Sequence, residues 1–138
     1  MRLTRFTDNA LRCLIALHRA GGQPLTTGAI ARQMHMSEDH LSKVVQRLVQ
    51  LGYVGTVRGR NGGVRLLQAP SAIVIGALIR ATEDNLVLVE CFDPVWNACP
   101  IAAVCKMAPA LDQALNAFLT VLDGYTLADF ALPPPVPG

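Results

Sequence analysis

The order of three patterns between Pro24 and Leu67 most constrains the fold. "PLTTGAIARQM" sets Ile30, Ala31 and Met34 on one helical face behind Thr26 or Thr27 as N-cap, and the pattern breaks at His35-Met36. "SEDHLSKVVQRLVQLG" then starts a second helix at Ser37, with Glu38 and Asp39 in the first turn where negative charge suits the helix dipole, and ends at Gly52. Its inward stripe is Leu41, Val44, Val45, Leu48 and Leu51; His40, Lys43, Arg47 and Gln50 take the opposite side. "YVGTVRGRNGGVRLL" alternates, turns at Asn61-Gly62-Gly63, and alternates again, with Arg58, Arg60 and Asn61 at the tip. Two helices, a tight turn, a basic outer face and a hairpin in that order predict a winged helix-turn-helix: a mostly α fold with a small β-hairpin.

The flanks extend this unit. "RFTDNALRCLIALHRAGG" predicts a first helix with Leu11, Leu14, Ile15 and His18 at helical spacing, Thr7 or Asp8 as cap and Gly21-Gly22 as its end. "SAIVIGALIRATE" predicts another, capped by Ser71, and "NLVLVECF" has the look of an apolar strand. Pro109 suits a first turn, so the last long helix is expected from near Ala108, with Leu111, Leu115, Phe118 and Leu122 along one edge. That edge is the expected dimer interface. The resulting division is a DNA-binding domain over 1–80, a cysteine-bearing region over 81–107, a dimerisation helix and C-terminal segment over 108–130, and a flexible tail over 131–138.

Charge divides the same way. Ten Lys and Arg meet three acids in residues 1–70, a net +7, whereas Arg80 and Lys106 meet seven acids in 71–138, a net −5. A basic front half joined to an acidic rear half is the pattern of a nucleic-acid reader attached to a regulatory or assembly part. With 51% apolar and 16% charged residues, the chain has more apolar surface than a monomer of 138 residues easily hides, which predicts a homodimer. No targeting segment is visible at the start, and the longest apolar run, Ile73 to Ile79, is far below the roughly 20 residues of a membrane span, so a cytoplasmic protein with no membrane partner is expected.

In a reducing compartment, "CFDPVWNACPIAAVC" poses a chemical question. Cys91, Cys99 and Cys105 are spaced Cys-x7-Cys-x5-Cys, with none of the close pairs of common zinc folds. Three soft thiolates suit an iron-sulfur cluster, while a thiol switch, zinc or an inert core role stay open on chemistry alone. Cys13, among Leu11, Leu14 and Ile15, reads as a small buried residue. None of His18, His35 and His40 lies near the segment in sequence. No nucleophile-base set, phosphate loop or carboxylate pair accompanies the thiols, so an enzyme is not expected.

"MRLTRFTDNALR", "RGRNGGVRL", the three-cysteine segment and "LDGYTLAD" together resemble the NsrR-type nitric-oxide-sensing repressors of the bacterial winged-helix iron-sulfur regulator family that also contains IscR. The resemblance covers nearly the whole chain except the proline tail. It implies a homodimeric repressor of operator DNA that carries a [4Fe-4S] cluster on Cys91, Cys99 and Cys105, with the partner's Asp8 as fourth ligand, and that releases DNA on meeting nitric oxide. A [2Fe-2S] form is left open. Without the resemblance, Asp8 reads as an ordinary acidic residue at a helix start. An IscR-like set would place a histidine three residues after the last cysteine, where this chain has Ala108, which favours the NsrR type; the one departure from the resemblance is the long seven-residue gap after Cys91. On DNA, Lys43, Arg47, Arg58 and Arg60 are the expected phosphate contacts, and Ser37, His40 and Asn61 the expected base or groove contacts. The other reading is a regulator that uses the same cysteines as plain redox thiols, without a cluster.

Overall fold

The computed structural model describes residues 1–133; most of the expected tail, 134–138, lies outside them. Helix α1 (Arg5–Arg19) packs on α2 (Thr27–Gln33) and α3 (Glu38–Gln50), followed by the antiparallel hairpin β1 (Val54–Val57) and β2 (Gly63–Leu66), then α4 (Ile75–Thr82) and α5 (Met107–Asp123). This is the winged helix-turn-helix with a long C-terminal helix. No helix among the described residues is long and apolar enough to cross a membrane.

The start of α1 corrects one expectation. Its cap is Thr4, whose hydroxyl accepts from the Thr7 amide at 3.2 Å, and not Thr7 or Asp8. Thr7 is fully buried, and its hydroxyl donates to Thr82 at 2.9 Å, while the Thr82 hydroxyl donates to the Leu78 carbonyl at 2.9 Å. Beside this pair the Glu83 carboxylate accepts from the Thr4 amide at 2.8 Å and its hydroxyl at 3.0 Å. The first turn of α1 is therefore bonded to the end of α4, from which the cysteine-bearing segment departs.

The helix-turn-helix forms as its residues dictate. Thr26 caps α2 by accepting from the Ala29 amide at 3.1 Å. His35 turns the chain with φ +53°, a left-handed conformation uncommon outside glycine. Leu41, Val44, Val45 and Leu48 are buried, and Leu51 partly so. Gly52, at φ +80°, ends α3: its amide bonds to the Val49 carbonyl and that of Tyr53 to the Leu48 carbonyl, which satisfies two terminal acceptors. Ser37 occupies the cap position of α3 but makes no capping bond, so its hydroxyl stays exposed.

The wing is held from below. Leu25 pairs with Val64 in both directions, at 2.9 and 2.7 Å, and adds a third rung beside the hairpin. That closeness explains Gly63: a Cβ there would lie 2.4 Å from the Leu25 carbonyl oxygen. The reversal spans 58–62, earlier than the expected Asn61-Gly62-Gly63 turn, because Gly63 is already paired with Val57.

Three further expectations change. Ser71 lies in a 3₁₀ turn (Pro70–Ala72) and caps nothing; α4 begins later because 73–75 run extended against 125–127, with Ile75 bonded to Tyr125 and Leu127 to Ile73, both at 2.9 Å. "NLVLVECF" forms no strand, only a 3₁₀ turn at Glu90–Phe92, since it meets no strand edge. Leu115, Phe118 and Leu122, three of the four residues of the expected interface edge, are half-buried against Ile75, Ile79 and Leu119 in a second core cluster. Arg80 grips Asp123 through two bonds, at 2.6 and 2.9 Å, where Asp123 sits against Gly76. Even so, Leu119 is the one fully buried residue of α5.

Desolvation raises the Glu83 carboxyl, but the hydroxyl dipole of nearby Thr7 and the donors of Thr4 outweigh it and hold the pKa below the ordinary range. A depressed pKa means that this contact stabilises the fold above the unfolded value of about 4.3 and is lost as pH falls through the folded value. Glu83→Gln is expected to lower stability by about 1 kcal/mol at neutral pH, the low end for bonds to a charged acceptor because the group is partly solvated. Urea unfolding curves of the two proteins are expected to converge as pH approaches 3; a constant gap across that range would contradict the assignment.

Candidate nucleic-acid interface and thiol segment

Burial of one stripe of α3 leaves Ser37, His40, Lys43 and Arg47 exposed. Within the exposed loop of the wing, Arg58, Arg60 and Asn61 carry no hydrogen bond or ion pair to another described side chain, so their donors are available to an external acceptor. Arg65 was not anticipated. Its position beside buried Val64 in an alternating strand turns it outward next to the wing, and alternation alone was the signal that identifies it. His40 and Lys43 border a shallow cleft against the first turns of α1, and Arg47 borders a second between α1 and the end of α4. The basic side of α3 thus lies next to the α1–α4 junction.

The thiol segment follows Glu83 directly. Cys91 sits in the Glu90–Phe92 turn, Cys99 in irregular chain, and Cys105 two residues before α5. Side-chain acceptors fold this stretch: Glu90 takes the Ala98 amide at 2.9 Å and so closes the loop between the first two cysteines. Asp93 takes the amides of Val95 and Trp96, at 2.8 and 3.0 Å, and Asn97 that of Cys99 at 3.2 Å. All three thiols are free and half-buried. Large apolar side chains around them face outward, Trp96 at 77% and Val104 at 79% exposure.

Asp8 is placed elsewhere, on the surface of α1, paired with Arg12 at 3.0 Å. Among the described residues no group of three or more His, Cys, Asp or Glu side chains is arranged to hold a metal ion, so Cys91, Cys99, Cys105 and Asp8 are not brought together within the single chain. The donor set nevertheless fits a thiophilic group by its chemistry: three unpaired thiols, partly screened from solvent, in a segment without regular structure to resist rearrangement. Cys13 is the contrast. It is fully buried, and desolvation pushes its thiol up to about 12.

Residues 3–132 match the model of the Rrf2 family, described as iron-dependent transcriptional regulators. The HTH-type transcriptional regulator NsrR of Geobacillus kaustophilus is 52% identical over 130 residues, covering 94% of this chain and 88% of the relative. Its Bacillus subtilis counterpart is 48% identical, covering 94% and 89%. Among solved structures, CymR, the global cysteine regulator of B. subtilis, superposes with TM-score 0.74 at 28% identity, covering 95% of this chain and 96% of that one. T. potens IscR gives TM-score 0.74 at 24% identity, covering 94% and 85%, a likeness of fold.

Thiolate is the reactive form of cysteine, so burial separates the four thiols. In the native metal-free protein, iodoacetamide is expected to label Cys91, Cys99 and Cys105 while Cys13 reacts only on unfolding. Peptide mapping after a timed exposure checks this, and early labelling of Cys13 would contradict the packing of α1.

Proposed function

The chain belongs to the Rrf2 family of iron-dependent transcriptional regulators, a DNA-binding regulator and not an enzyme, and from that premise we propose that it is a nitric-oxide-responsive repressor acting as a homodimer. In this reading Cys91, Cys99 and Cys105 hold a [4Fe-4S] cluster, with the partner's Asp8 as fourth ligand and a [2Fe-2S] form as the other nuclearity. Acting on chromosomal DNA, it works in the cytoplasm. The observation that carries the proposal is the position of three free, half-buried thiols on a segment that starts at Glu83, the residue bonded to the first turn of α1.

Bound on those thiols, a cluster would supply iron able to take a diatomic ligand, most openly where a hard carboxylate replaces a soft thiolate. The chain's own residues do the rest. Asp8 is available, because an exposed pair such as Asp8–Arg12 contributes only about 0–1 kcal/mol. Glu83, Thr4 and the Thr7–Thr82 pair tie the departure point of the thiol segment to the helix that bears Asp8 and packs on α3. Movement of that segment therefore reaches the DNA face through bonded groups. Lys43, Arg47, Arg58 and Arg60 neutralise phosphate, and Ser37, His40 and Asn61 meet groove edges. The extensive exposed surface of α5, including Met107 and Val121, supports its use between protomers, which would set two α3 helices roughly 34–36 Å apart for paired half-sites.

Protein prepared without oxygen is expected to be coloured and to shift a promoter duplex in a gel, and a nitric-oxide donor to abolish the shift. Cys91→Ala, Cys99→Ala and Cys105→Ala are expected to be colourless and to bind DNA at least tenfold more weakly. A colourless wild type whose binding responds to thiol oxidants would establish the plain redox reading instead. Native mass spectrometry of Asp8→Ala tests the fourth ligand: cluster retention and sensitivity equal to wild type would remove that carboxylate.

A further inference from the structure

The recognition helix does not face DNA alone. His40 and Lys43 of α3 share a cleft of ≈ 210 Å³ with Arg5 and Asn9 of α1, floored by Phe6 and Val44. No carboxylate lines it. Among the described residues the ion pairs are Asp8–Arg12 and Arg80–Asp123, so Arg5 and Lys43 have no acidic partner, and Arg5 makes no side-chain hydrogen bond. Two exposed cations from different helices thus line one cleft with no acid to neutralise them, an arrangement that favours an anion there. The bland explanation, that both cations are simply solvated, accounts for their exposure but makes the cleft irrelevant to affinity.

We propose that Arg5, with Lys43, forms a clamp for one backbone phosphate of duplex DNA at the rim of the cleft that His40 also borders, so that the first turn of α1 belongs to the DNA interface. Arg5 supplies a planar donor fork suited to two phosphate oxygens, and Lys43 a mobile ammonium. The cleft opens beside the exposed face of α3, which places the phosphate at the edge of the groove that α3 enters. The position has a regulatory consequence. Arg5 directly follows Thr4, whose amide and hydroxyl are held by Glu83, so the clamp lies one residue from the bond that anchors the thiol segment.

This inference rests on the proposed DNA-binding role of the α3 face, and the experiment separates the two. Because a phosphate contact is blind to sequence, the probe is a duplex of random sequence, titrated by fluorescence anisotropy over a series of KCl concentrations with oxygen-free dimeric protein. Arg5→Gln is expected to weaken binding about three- to tenfold at low salt and to reduce the slope of log K against log salt by about 0.9 for each protomer. Arg2→Gln, outside the cleft, is expected to match wild type, and unchanged melting of Arg5→Gln excludes a folding defect. Wild-type affinity and slope for Arg5→Gln, alongside losses for Lys43→Gln, would overturn the clamp and leave the α3 face standing. No loss for Lys43→Gln or Arg47→Gln would overturn the DNA face itself, and the clamp with it.

Discussion

The buried bond between the hydroxyls of Thr7 and Thr82 is the contact on which the arrangement of this protein turns. A neutral hydrogen bond contributes only about 1 kcal/mol net, but a buried hydroxyl left without a partner costs about 1–3 kcal/mol, so the pair enforces its geometry more than its strength suggests. Through it and the adjoining Glu83–Thr4 contacts, a helix at the start of the chain is registered on one whose end lies nearly eighty residues later. The segment that follows Glu83 and carries the three half-buried thiols departs from that point, and α5 beyond it is fastened back to α4 by Arg80–Asp123 and by the pairing of 73–75 with 125–127.

On one side of the junction lies a unit whose parts reinforce one another. Leu14 and Leu17 of α1 meet Leu41 and Leu48 of α3 in the main core, and Leu25 fastens the wing to it through two backbone bonds. On the other side the thiol segment is held by short-range bonds from Glu90, Asp93 and Asn97, which shape a loop without burying it. Such a segment has little core to lose on rearranging, which suits the responsive role proposed for it. The helix-turn-helix unit is built around a buried core, the thiol segment is loosely packed, and Glu83 connects them.

Much of this was legible in the order of residues. The α3 stripe, the Gly52 terminus, the hairpin and the exposed basic residues all follow from local rules, because amphipathic spacing and a left-handed glycine act over a few residues. Errors arose where a distant partner outbid the local preference. Thr7 had the chemistry of a cap but was drawn into the core by Thr82; Ser71 lost its capping role to the pairing of 73–75 with 125–127. Leu115, Phe118 and Leu122 read as an unpartnered edge, yet Ile75 and Ile79 lie beneath them. Arg5 was overlooked because nothing in the local sequence announces that His40 and Lys43 will be its neighbours.

The sequence by itself determined the element types of the reader, the sign of its surface and the chemical softness of its three clustered thiols, since these depend on side-chain identity and short spacing. Only the tertiary structure decided which hydroxyl caps α1, where α4 begins, how Gly63 accommodates Leu25, and that the acidic end of α4 holds the first turn of α1. The physical reason is that each of these depends on a donor and an acceptor, or two surfaces, from remote parts of the chain meeting within about 3 Å. Such meetings are set by packing of the whole core and leave no periodic mark in the order of residues.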